Sequence, residues 1–248
     1  MALTIKNTKA VKNSIGIRKS PEPEGRPGYL RIDTVHQGDK AKKKGVYHVN
    51  AVDEVTQMCV VVSVGKIDKE HMIVVLKKII EYFPFKIIEI HADNGGEYIN
   101  YLVAELLEGL FIQLTKSRPR HSNDNALVEC KNGWVIRKHL GYNYIDQKHV
   151  ARLNIFHDDY FIPYLNCHRP CYFSVMGFDK KGKWGKRYRA ENIMTPYEKL
   201  KSLDNAEQYL KPGVTFNELD KLAYAQSDEE SAKHLQEEKT KLWNEISE

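Results

Sequence analysis

Three acidic residues combine a suggestive setting with a suggestive spacing: Asp33 within Tyr29–His36 (YLRIDTVH), Asp93 at the end of KIIEIHAD, and Glu129 within HSNDNALVECKNG. The apolar run Ile87, Ile88, Ile90 reads as a buried strand that delivers Asp93, beside His91, just before Asn94, Gly95 and Gly96 turn the chain away. Glu129 falls in a helical stretch, where it shares a face with Asn125, Asn132 and Gly133, because positions three and four apart line up. Thirty-five residues separate Asp93 from Glu129. Singly, each has a bland reading: a strand-edge charge, a turn residue, a solvated helix position. Gathered together, three carboxylates repel and raise one another's pKa unless a cation joins them, and Mg2+ or Mn2+ is the cation that hard oxygen ligands suit.

The elements that would position this set follow from periodicity. Tyr29 to His36, Val46 to Asp53 and Met58 to Val64 read as three successive antiparallel strands, with Asp53–Thr56 as a hairpin turn. Asp68 caps a helix on which Met72, Val75, Leu76, Ile79 and Phe83 form one stripe and which Pro84 ends. The Asp93 strand follows, then a helix from about Tyr98 to Glu108 closed by Gly109, a strand from Phe111 to Thr115, and the helix of Glu129. The order βββαβαβα predicts a mixed five-stranded sheet, three antiparallel strands then two parallel, flanked by helices on both faces. A helical segment from Lys148 to Leu165 comes next, and a helical C-terminal extension closes the chain.

The sequence resembles the DDE transposase and retroviral-integrase superfamily, and more narrowly insertion-sequence transposases of the IS481-like kind. RIDTVH, HADNGGEYIN, SRPRHSNDNALVECKNG and RKHLGY fall in that family's order. The resemblance implies an RNase H-like catalytic core and metal-dependent DNA strand cleavage and strand transfer during integration or recombination. It implies two Mg2+ (or Mn2+) ions, Asp33 bridging both while Asp93 and Glu129 each hold one. Two such ions, roughly 4 Å apart, activate the attacking hydroxyl and neutralise the leaving oxygen. It also implies DNA ends and target DNA as partners, and a homo-oligomer. Family members usually carry a helix-turn-helix region ahead of the core, so the resemblance predicts an N-terminally truncated chain, with end recognition supplied by a separate chain. The alternative is a catalytically silent remnant that only binds DNA or a partner.

Composition agrees with such a partner. The net charge is +5, but Asp204–Glu248 holds eleven acidic and five basic residues, which leaves 33 basic against 22 acidic elsewhere. A basic body with an acidic tail suits a polyanion. No apolar run reaches the length of a membrane span, and the start lacks a signal-peptide core, so the expected location is cytoplasmic, at the nucleoid. Cys59, Cys130, Cys167 and Cys171 read as reduced structural thiols.

Four regions are expected: a basic, Pro/Gly-rich arm over 1–28, the catalytic core over 29–170, a basic DNA-contacting segment over 171–203, and an acidic helical tail over 204–248. Expected DNA contacts near the carboxylates are Arg118, Arg120, His121 and Asn125. Further contacts are expected in DKKGKWGKRYR, where Lys183, Lys186, Arg187 and Arg189 would meet phosphates and Trp184 and Tyr188 would stack on bases or sugars. The bland reading of that run is a solvated loop. In the tail, Leu235, Leu242, Trp243 and Ile246 would stripe a helix that packs back on the core.

Overall fold

Period-two alternation divides each long strand between two hydrophobic clusters, one on either face of a sheet. In the computed structural model, which describes residues 15–247, that sheet has six strands. In chain order the strands are β1 (Ile17–Arg18), β2 (Tyr29–His36), the small hairpin β3 (Asp39–Lys40) and β4 (Lys43–Lys44), β5 (Tyr47–Asp53), β6 (Cys59–Val64), β7 (Glu89–Ala92) and β8 (Gln113–Lys116). The sheet runs β1-β8-β7-β2-β5-β6, with β2, β5 and β6 antiparallel and β2, β7, β8 and β1 parallel. The five expected strands are therefore present in the RNase H-like order, and Ile17–Arg18 adds a short edge. Residues 15–28 are thus partly built into the sheet; the rest of the expected arm, 1–14, lies outside the described residues.

One face carries Leu30, Ile32, Val49, Ala51, Val60, Val62, Ile90 and Ala92 against α1 (Lys69–Tyr82) and α2 (Tyr101–Gly109). Asp68 caps α1 by accepting from the His71 N–H at 3.0 Å, and Met72, Val75, Leu76 and Ile79 are buried as the stripe requires. The other face carries Val35, Val52, Cys59 and Val61. Against it lies a helical run from Ala126 to Leu140: α3 (Ala126–Lys131), a π turn (Asn132–Arg137) and α4 (Lys138–Leu140). A second run follows, α5 (Val150–Phe156) continued through π turns to His168. The glycine between arm and sheet is obligatory: Gly28 has φ +104, and a Cβ there would stand 2.3 Å from the Lys86 carbonyl oxygen.

The second helix departs from expectation at both ends. Asn100, not the region of Tyr98, starts α2, accepting from the Val103 N–H at 3.1 Å. Tyr98 is drawn into the core instead, and its hydroxyl bonds to Thr34. At the far end Gly109 is still helical, and Phe111 takes the left-handed conformation at φ +56 while Ile112 N–H closes onto Leu107 at 2.8 Å. Burial of Ile112 outweighs the usual preference for glycine there, and the following strand starts at Gln113.

Beyond the core, β9 (Cys171–Phe178) and β10 (Trp184–Met194) pair as an antiparallel hairpin, so the loop reading of this basic stretch is replaced by a ribbon turned at Asp179–Lys183. Then come α6 (Pro196–Lys201), α7 (Phe216–Ala223) and α8 (Asp228–Ser247). Leu235 and Leu242 on α8 are buried in the second cluster, with Trp243 and Ile246 packed against it, so the acidic tail docks on the core as its apolar stripe predicts. Among the described residues no helix is long and apolar enough to cross a membrane.

Candidate active site at the ends of two parallel strands

The parallel register of β2 and β7 ends with Ile32 opposite Ala92, so the next residues, Asp33 and Asp93, come side by side where β7 stops. Ile32 and Ala92 belong to the first core cluster, and Asp33 faces the other way, toward the run from Ala126 to Leu140. That run is attached to it directly: Asn132 Nδ2 donates to Asp33 Oδ2 at 2.6 Å. Asn132 Oδ1 in turn accepts from Asn50 Nδ2 at 2.9 Å, and Asn50 is the cross-strand partner of Asp33 on β5. Glu129, one turn before Asn132, is exposed on α3.

Asp33 is the electrostatic centre of the group. Burial, foremost, with the negative charges of Asp93 and Glu129 behind it, pushes its carboxyl up to about 6, against the pull of bonds from the Thr34 N–H and from Asn132. Asp93 is held by its own turn, its Oδ1 accepting from the Gly95 N–H at 2.8 Å. The edge strand reaches the same turn, because Arg18 donates to Asn94 Oδ1 at 3.0 Å and to the Ser117 carbonyl at 3.1 Å. His91 stands apart: buried and bonded to Thr115 at 2.9 Å, it is pushed down to about 4, first by burial, and stays neutral. Among the described residues no three His, Cys, Asp or Glu side chains stand close enough to enclose a metal ion. The donor chemistry of Asp33 and Asp93 nevertheless fits a hard cation, since both offer carboxylate oxygens.

The loop before Glu129 is tied down by a residue that sequence reasoning passed over. Asp124 is buried and accepts from the Arg118 backbone at 3.0 Å and from its guanidinium at 2.9 and 2.8 Å. The Arg118 bond, above all, holds its carboxyl well below the usual range. Arg31, itself paired with Glu54 at 2.8 Å, bonds the Asp124 carbonyl. Arg118 is therefore engaged within the loop, whereas Arg120 and His121 are exposed. Asn125 is buried, its amide 3.4 Å from the Ile32 carbonyl, so it faces the strand under the site. Lys131 is buried against Cys171 at 3.1 Å, away from the carboxylates, and Lys138 lies over the Trp134 ring. Lys183, Trp184, Lys186, Arg187 and Arg189 sit on the hairpin. Asn50 was findable in principle, being a polar residue between Val49 and Ala51 that hairpin pairing sets opposite Asp33. Asp124 carries no such signal, since Arg118 and Asp124 meet through an irregular loop.

Residues 23–122 match the sequence model of the integrase core domain family, a stretch that includes Asp33 and Asp93 and stops short of Glu129. The chain is similar to the uncharacterized protein y4rM of Sinorhizobium fredii (strain NBRC 101917 / NGR234), 29% identical over 135 residues, which span 54% of this chain and 39% of that protein. Among solved structures it is similar to the HTLV-2 integrase catalytic core domain in complex with magnesium (19% identity, TM-score 0.44, 64% of this chain and 93% of that one). It is also similar to the BIV integrase catalytic core domain (15% identity, TM-score 0.44, 69% and 91%).

Proposed function

We propose that this protein is a DNA strand transferase of the transposase and integrase type, of the IS481-like insertion-sequence kind, with Asp33, Asp93 and Glu129 as its catalytic carboxylates. The observation that carries the reading is that strand pairing sets Asp33 beside Asp93 while Asn132 ties the helix of Glu129 to Asp33. The integrase core match over 23–122 supports it. Asp33 and Asp93, with Glu129 from the helix, would hold Mg2+ or Mn2+, which when bound supplies activation of the attacking hydroxyl and charge neutralisation at the leaving oxygen. The chain's own part is positional. The Thr34 N–H and Asn132 fix the Asp33 carboxylate, the Gly95 N–H fixes Asp93, and Arg118 with Asp124 sets the loop that leads to Glu129. Exposed Arg120 and His121 flank this loop where a phosphate backbone would pass. The regional division that goes with this reading is a core over 29–170, a DNA-contacting segment over 171–203 and a docked tail, acting as a homo-oligomer on element ends and target DNA.

A second reading, DNA binding without catalysis, is favoured by one observation: the described side chains do not gather three donors around one point. Incubation with Mn2+ and labelled DNA carrying the ends of the source element separates the two. Specific nicking or joined products, abolished by Asp93→Asn with DNA binding retained, support the transferase. Binding with no cleavage product at any Mn2+ concentration supports the silent binder, and equal loss of binding and cleavage in Asp93→Asn makes Asp93 structural.

A further inference from the structure

The hairpin β9–β10 presents an unusual face. Its register pairs Phe178 with Trp184, Met176 with Lys186 and Ser174 with Tyr188, and Tyr172 lies on the same side two residues before Ser174. Tyr172, Met176, Phe178, Trp184 and Tyr188 are all more than half exposed, an apolar and aromatic surface of the kind a soluble chain rarely leaves open. Phe178 and Trp184 pack edge to face with ring centroids 4.7 Å apart. The ribbon is also strongly basic, with six Lys or Arg and one Asp between Asp179 and Arg189. Among the described residues no carboxylate pairs with Lys180, Lys181, Lys183 or Lys186.

The face leads somewhere. At the base of the ribbon Tyr172 and Tyr188 form one wall of a pocket of about 470 Å³. Trp134 and Lys131, from the helical run that carries Glu129, line the same pocket, with Arg169. The bond from Gln57 Nε2 to the Tyr172 carbonyl, at 2.9 Å, pins that base to the β5–β6 turn.

Resting on the DNA reading above, we infer that this face is a platform for unpaired bases, a track along which a single-stranded DNA tail runs from the hairpin tip to the pocket beside Trp134. Same-face side chains on a strand repeat roughly every 7 Å. Duplex bases are stacked at roughly 3.4 Å and admit no ring between them, so the spacing suits an extended, unstacked strand. Aromatic rings accept bases of any sequence, and the interleaved lysines meet the phosphates. Charge argues against a second copy as the occupant, because two ribbons this basic repel when laid face to face.

The test uses the full chain and fluorescence anisotropy with three probes: a blunt duplex, the same duplex carrying a short oligothymidine tail, and polyglutamate. The tailed duplex is expected to bind about tenfold or more tighter than the blunt one. Trp184→Ala with Tyr188→Ala is expected to bring that ratio to one, while Trp184→Phe with Tyr188→Phe retains it because stacking survives. A ratio of one in the wild type overturns the platform and leaves the DNA reading standing. Failure to bind either duplex overturns both. Polyglutamate binding equal to that of the tailed duplex, or a wild-type dimer that the alanine pair dissociates, also overturns the inference, in favour of charge alone or of self-association.

Discussion

Asp33 carries the clearest physical signature of the site, a carboxyl at about 6 in place of its usual 3.8. A carboxyl whose folded pKa is raised favours the native state below its unfolded pKa, and that advantage is lost as pH rises through the folded value. Between about pH 4 and 6 the metal-free protein should therefore lose stability through Asp33. Asp33→Asn should flatten that slope and stabilise the protein at pH 8, by on the order of 1 kcal/mol once partial exposure is allowed for. Thermal melts of both proteins at pH 4 and pH 8 in EDTA check this, and a variant less stable at both would show that the bonds from Thr34 and Asn132 outweigh the buried charge. The elements that carry the three carboxylates were legible from periodicity, as a strand interior, a strand end and a helix face, whereas their choice as a set rested on the resemblance. Their support was only half legible. Asn132 lay on the Glu129 face by helical spacing, whereas its bridge to Asn50 depends on tertiary approach between residues 82 apart in sequence, and the Arg118–Asp124 clamp, 6 apart, on loop geometry that no period describes.

At the scale of elements the hairpin is where sequence and structure part most. Lys and Gly dominate residues 179–186 and hide the alternation on either side, so the sequence shows a basic DNA-contacting run, with a solvated loop as its bland reading, and no strands, yet Gly182 at φ +76 makes the turn and Asp179 Oδ1 accepts from the Lys181 and Lys183 N–H groups at 2.8 Å. This changes what its cations do. Arg187 pairs with Asp179 at 3.4 Å and bonds the Lys183 and Lys186 carbonyls, so it closes the turn from within. Lys183→Ala with Lys186→Ala should leave the fold intact and lower the salt dependence of DNA binding by up to roughly two counterions' worth, one for each phosphate contact removed. Arg187→Ala should instead loosen the turn, seen as faster amide exchange at Lys181 and Lys183. Salt-titrated anisotropy and hydrogen exchange measure these separately, and matching behaviour of the lysine and arginine variants would contradict the division. The first helix and the three-strand meander were predictable from strong periodicity. The ends of the second helix were not, because burial of Tyr98 and Ile112 overrides local preference.

For the whole molecule, the acidic C-terminal region belongs to the same folding unit as the sheet. Leu242 is fully buried in the cluster that also contains Val61, Val128 and Phe156, and Arg152 of α5 bonds Glu245 at 2.6 Å. Leu242→Ala should cost about 2–5 kcal/mol, the range for emptying a buried leucine site, and shift a single urea transition without splitting it. Separate melting of the tail would contradict a shared core. The same cluster takes in Val128, Val135, Ile136 and Leu140 of the run from Ala126 to Leu140 and Val35 of the strand that carries Asp33, so the tail and the element that carries Glu129 share one core.

The central claim is that Asp33, Asp93 and Glu129 act as one ion-binding group. Mn2+ binding followed by electron paramagnetic resonance, in the wild type and in Asp33→Asn, Asp93→Asn and Glu129→Gln, tests it most directly. A shared site is expected in the wild type, and each substitution should weaken it by about tenfold or more, since removal of one charged oxygen donor disturbs an ion that the others also hold. Mn2+ affinity unchanged by Asp93→Asn would contradict it.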